Sequence, residues 1–225
     1  MEKLLNEMLT ALCRLTAEEI DLQIEPWLGR LVLELDLDRS VLLQINPGDR
    51  TFRTTHSWGR DGIPPVPNGL DGVRTIPFLA NKVIAGETVV VSSTKELPLE
   101  ASGEREFSRE YGTKSTVLIP LSAGAGVFGL LSFGSITRER QWAPELVQRL
   151  KFVAEIMSSV IDRKRALDEL RELRREISHA ARLSMMGELT ASIAHELNQP
   201  LGAILTNAQA ATRLLSAEEP DIEEA

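Results

Sequence analysis

The sequence predicts an α+β domain, an antiparallel sheet flanked by helices, followed by a long coiled-coil helix that leads into a dimeric helical-bundle segment. Three observations predict it. Apolar residues recur at three- and four-residue steps over residues 1–35, short alternating apolar runs broken by Pro and Gly fill 40–133, and a single three-four stripe then runs from Pro144 to Leu183 without a Gly or a further Pro. At 225 residues with 43% hydrophobic content, the chain has room for one sizeable domain plus extended helices.

The opening stripe, Leu5, Met8, Leu12, Leu15, Ile24, Leu28, Leu31 and Leu35, is interrupted around Thr16 and Pro26 and predicts two helices. Strands are expected at 40–45 and 52–58, joined by the turn Asn46-Pro47-Gly48-Asp49. Further strands are expected at 88–92, 115–121 and 127–133, with short helices at 73–85 and 104–111. Mixed helices and antiparallel strands place the helices against one sheet face. Residues 115–137 carry no charge and are long enough on paper to cross a bilayer. Val117, Ile119 and Leu121 alternate, however, before the small cluster Ala123-Gly124-Ala125-Gly126, so a hairpin is the better reading. Gly124, Gly126 and Gly129 also spell G-x-G-x-x-G, but a strand follows where a dinucleotide loop requires a helix.

The connector stripe, Leu146, Leu150, Val153, Met157, Val160 and Leu167, predicts a parallel coiled coil. Its outer face mixes opposite charges from Asp162 to Glu176, a pattern of solvated i,i+4 pairs. Around Leu167, Leu170, Leu173 and Ile177 the steps become three, three and four, which overwinds a coil locally and suits the storage of a signal.

Chemistry concentrates in one later turn, Ile193-Ala194-His195-Glu196-Leu197-Asn198-Gln199-Pro200-Leu201. The seam runs through Met186, Leu189, Ile193, Leu197, Leu201, Ile204, Ala208, Ala211 and Leu215. His195 lies about 200° round the helix from Ile193, off the seam, with Glu196 beside it. A neutral imidazole with a carboxylate to stabilise the imidazolium is a plausible phosphoryl nucleophile. Zinc coordination of the H-E-x-x-H kind fails because the fifth residue is Gln199. His179 reads as a solvated surface histidine.

This turn, with its lead-in Met185-Met186-Gly187-Glu188-Leu189, resembles the phosphoacceptor box of sensor histidine kinases of the H-E-L-N-Q-P-L subgroup, over roughly residues 180–215. The resemblance implies that His195 is the phosphorylated residue, Glu196 its acid/base partner and Gln199 a residue that positions water for dephosphorylation. Pro200, which lacks an amide, is expected to loosen or bend the helix just after the site. Ahead of it, Glu96-Leu97-Pro98, Leu118-Ile119-Pro120-Leu121, Gly126-Val127-Phe128-Gly129 and Trp142 resemble a GAF domain, a small-molecule sensor fold, over about residues 1–160.

The domains expected are therefore a GAF-like sensor at 1–143 merging into the linker to about 160, a signalling helix at 144–183, and the first helix of a dimerisation and phosphoacceptor domain at 184–225. In the GAF fold a ligand lies between the sheet and the crossing segment, here roughly residues 56–85, where Phe52, Trp58, Phe78 and Phe133 are candidate lining residues. Plain core is the alternative for these rings. The cyclic-nucleotide signature is missing, Cys13 is poorly placed for a covalent bilin, and His56, a conceivable haem ligand, reads better as a structural strand residue. No metal is expected.

The resemblance implies a homodimer, a response-regulator receiver domain as partner, and ATP with Mg in a catalytic domain that has no counterpart in these residues. The acidic run 216–225 resembles the loop before that family's second bundle helix. A net charge of −8 argues against nonspecific nucleic-acid binding, Cys13 is the lone cysteine, and the N-terminus lacks a signal peptide, so a cytoplasmic location is expected. The alternative is a GAF module that binds a small molecule and dimerises through its last helix without phosphotransfer.

Overall fold

A computed structural model describes residues 2–46, 51–63, 65–68, 71–124 and 126–215. It divides into two units, Met1–Asp168 and Glu169–Ala225.

The first unit opens with α1 (Glu2–Cys13) and α2 (Ala17–Glu34). The break between them is a capping box: Thr16 Oγ1 accepts from the Glu19 amide, and the Glu19 carboxylate accepts from the Thr16 amide at 2.8 Å. The expected second break at Pro26 does not occur, because Pro26 lies inside α2. Its missing N–H orphans only the carbonyl of Leu22, an exposed residue open to water, while Ile24, Trp27, Leu28, Leu31 and Val32 around it are buried. Packing outweighs the proline.

Strands β1 (Arg39–Ile45), β2 (Phe52–Gly59), β3 (Val89–Val91), β4 (Ser115–Ala123) and β5 (Gly126–Ser135) form an antiparallel sheet of order β2-β1-β5-β4-β3. The Asn46 amide donates to the Thr51 carbonyl at 2.8 Å across the β1–β2 connection; the expected turn at 47–49 lies outside the described residues. The β4–β5 hairpin forms where the glycine cluster predicts it, and a strand follows the G-x-G-x-x-G run. Between β2 and β4 stand α3 (Gly72–Thr75), α4 (Pro77–Ile84) and α5 (Ser102–Glu110). The single helix expected over 73–85 is split at Ile76, since the residue before a proline is pushed out of the helical region.

Helices cover both faces of the sheet, not one. Strand alternation explains it. Leu42, Val117, Ile119, Leu131 and Phe133 point into one core with α1, α2 and the first turns of α6 (Pro144–Leu215), through Leu150, Val153, Met157 and Val160. Val41, Leu43, Leu118 and Leu130 point the other way, into a smaller core closed by α3, α4 and α5. No helix among the described residues is long and apolar enough to cross a membrane.

Consecutive basic residues tie α6 down within this unit. Arg163 donates to the carbonyls of Cys13, Leu12 and Leu15 at 2.6, 2.8 and 3.2 Å, satisfying the C-terminal end of α1. Lys164 pairs with Asp21 and Asp168, and Arg165 donates to Gln44 while its guanidinium stacks over Phe128. In the second unit the helix runs through Pro200 to Leu215 without interruption.

Candidate functional site

The smaller core is not filled. A cavity of about 60 Å³ lies between the sheet and α3–α5, with Val41, Leu43, Leu79, Leu118 and Leu130 in its apolar wall and Arg39, Thr54, Glu104 and Thr113 among its polar groups. Glu104 is buried on α5, whose sequence Ser-Gly-Glu-Arg-Glu-Phe-Ser-Arg-Glu is polar on every turn except at Phe107. One carboxylate oxygen accepts from the Leu79 amide at 3.0 Å, at the start of α4, where a helix exposes its free amides. The other has no hydrogen-bond partner, and neither has the buried hydroxyl of Thr54. The close approach of α5 to α3 needs Gly103, where a Cβ would come within 2.7 Å of the Thr75 carbonyl.

Arg39 closes another side. Its guanidinium donates to the Tyr111 carbonyl at 3.2 Å and to Thr113 Oγ1 at 2.7 Å, and lies 5.9 Å from the Tyr111 ring centre. Burial pulls it down to about 10, against the favourable influence of Tyr111. Among the lining side chains Arg39 and Glu104 alone carry charge, and the charges are opposite.

None of the four expected aromatic side chains lines this cavity. Phe52 is fully buried in the smaller core and Phe78 packs against it; Phe133 and Trp58 belong to the opposite core. Trp58 lies against α2 so tightly that a Cβ on Gly29 would meet its ring at 2.7 Å. His56 is not a lining residue either. It bonds Thr55 Oγ1 at 3.0 Å, and burial lowers its pKa, opposed by Asp21 and Glu25 of α2. Cys13 is exposed at the end of α1, and among the described residues no cluster of His, Cys, Asp and Glu could hold a metal.

In the second unit His195 is exposed. Its Nε2 lies 3.2 Å from the side-chain nitrogen of Gln199, one turn on. Glu196 lies outside the described side chains. Its carbonyl loses the usual donor four residues on, because that residue is Pro200. The seam residues Met186, Ile193, Leu197, Leu201 and Ile204 are all exposed.

Sequence reasoning missed Arg39, Thr54 and Glu104. The available signal was the mixed face of the hairpin, where Thr116, Ser132 and Gly134 alternate with the wholly apolar Val117, Leu131 and Phe133.

Over 79 residues, 35% of this chain, the sequence is 42% identical to the sensor histidine kinase TmoS of Ectopseudomonas mendocina, of which 8% is covered. Over 47 residues, 21% of this chain, it is 51% identical to the sensor protein FixL of Bradyrhizobium diazoefficiens, of which 9% is covered. The chain thus matches only a small part of the length of these curated relatives. The phycocyanobilin-bound GAF domain from a cyanobacterial phytochrome superposes with a TM-score of 0.60 at 18% identity, covering 72% of this chain and 94% of that one. That likeness is one of fold. The GAF domain family profile matches residues 24–161, which hold all five strands and α3 to α5, and on that match the chain belongs to the GAF domain family.

Proposed function

We propose that this chain is the sensory and phosphoacceptor portion of a two-component sensor histidine kinase, in which occupancy of the GAF cavity controls phosphorylation of His195. The observation that carries the reading is the His195 turn: an exposed imidazole with its Nε2 3.2 Å from the Gln199 side-chain nitrogen, set on a helix with an uncovered apolar seam. Likeness to the sensor histidine kinase TmoS supports it.

The seam, Ile193, Leu197, Leu201 and Ile204, is covered by a second copy of this chain in a homodimer. A catalytic domain carrying ATP and Mg delivers the phosphoryl group: an N–P bond forms at His195, the bond to the leaving ADP breaks, and Glu196 stabilises the imidazolium. The Gln199 amide leaves Nε2 as the phosphoryl group arrives. Transfer to an aspartate of a response-regulator receiver domain follows, and Gln199 orients water for its hydrolysis. The reactions take place in the cytoplasm.

The test is to join the chain to its ATP-binding domain, supply labelled ATP and compare it with His195→Gln. Acid-labile, base-stable label that disappears with His195 is the expected result; absence of label from both proteins would overturn phosphotransfer and leave a GAF binding module that dimerises through α6.

A further inference from the structure

The cavity's polar groups define the kind of molecule it takes. We propose that it recognises a small uncharged molecule with an O–H or N–H donor for Glu104 and a short apolar body, of the size of a butanol or a primary amide. This rests on the reading of the cavity as the sensory site.

Glu104 is 1% exposed and Thr54 2%, and both line the cavity. The Glu104 oxygen that does not hold the Leu79 amide, and the Thr54 hydroxyl, are buried with no hydrogen-bond partner. A buried carboxylate oxygen without a donor is costly, and its presence in a cavity marks where a donor is to be supplied. Arg39 already donates to Tyr111 and Thr113, so the demand is for a donor and not for an anion.

Charge selects further. Arg39 and Glu104 balance each other in the lining, so an ammonium or a carboxylate would leave one uncompensated charge in an enclosed, largely apolar space. A neutral donor leaves none. Val41, Leu43, Ile76, Leu79, Leu118 and Leu130 supply the surface for the apolar body. At about 60 Å³ the space admits on the order of four to six water-sized groups, which sets the ceiling on size.

The experiment uses the full chain with labelled methyl groups and follows Ile76, Leu79, Leu118 and Leu130 by NMR. Four probes of closely similar size are titrated: butan-1-ol, methyl propyl ether, butylammonium and butyrate. Butan-1-ol is expected to shift these methyls saturably with an affinity at least about tenfold above the ether, which lacks the donor, and above both ions. Glu104→Gln keeps an oxygen for Leu79 and turns the free acceptor into an N–H donor, so it should erase or reverse the alcohol-over-ether preference. Equal binding of alcohol and ether, tightest binding of an ion, or a preference untouched by Glu104→Gln would each overturn this assignment while leaving the sensory reading in place. If no probe shifts the cavity methyls saturably, water is the only occupant and both readings fall.

Discussion

Asp38 shows how much of this domain hangs on single buried groups. One carboxylate oxygen accepts from the amides of Ile136 and Thr137 at 2.6 and 2.8 Å and from the hydroxyls of Thr137 and Ser135 at 2.8 and 3.2 Å. Burial raises its pKa, but these bonds together outweigh burial and hold it below the usual carboxylate value. Because the folded value lies below the unfolded one, the stability Asp38 adds is present above about pH 4 and is lost as pH falls through the folded value. Asp38→Asn is therefore expected to cost about 1–2 kcal/mol at pH 7, the charge-assisted share of these bonds. In urea melts the gap from wild type should narrow below about pH 4; a gap independent of pH would refute this.

At the scale of elements, the Arg163 contact joins α6 to the end of α1 through three carbonyls. Arg163→Ala is expected to speed hydrogen exchange in the last turn of α1 and to cost roughly 1–3 kcal/mol. Lysine should restore only part, since an ammonium lacks the planar fork that reaches several acceptors at once; unchanged exchange in both variants would remove this role. These element positions were largely legible in the sequence, because strand alternation and helical stripes are local patterns. Every strand and the Thr16 break were found that way. Pro26 misled because its cost is local and visible, whereas the burial of Ile24, Trp27 and Leu28 that overrides it is tertiary. The cavity was hidden for the same reason: Glu104 in a polar nonapeptide reads as solvated surface, and only the docking of α5 onto α3 buries it. Phe133 and Phe52 are alike in composition, and strand parity alone sends them to opposite faces.

For the whole molecule, each unit raises its own question. The second leaves Ile193, Leu197, Leu201 and Ile204 exposed, Leu197 by 58%. On the proposed reading a second copy of this chain covers this apolar row. The doubly substituted Leu197→Glu, Leu201→Glu chain is expected to have half the mass of the unsubstituted chain by light scattering, with the GAF domain's unfolding transition retained; equal masses would exclude this row as the dimer contact. In the first unit the sheet stands between the cavity and α6. On β5 the residues that touch the cavity, Leu130, Ser132 and Gly134, alternate with Leu131 and Phe133, which lie in the core that holds α6. Front and back are thus adjacent links of the same chain. A guest that nudges Leu130 must also move Leu131, and news of its arrival has only the thickness of one peptide to travel before it reaches the helix.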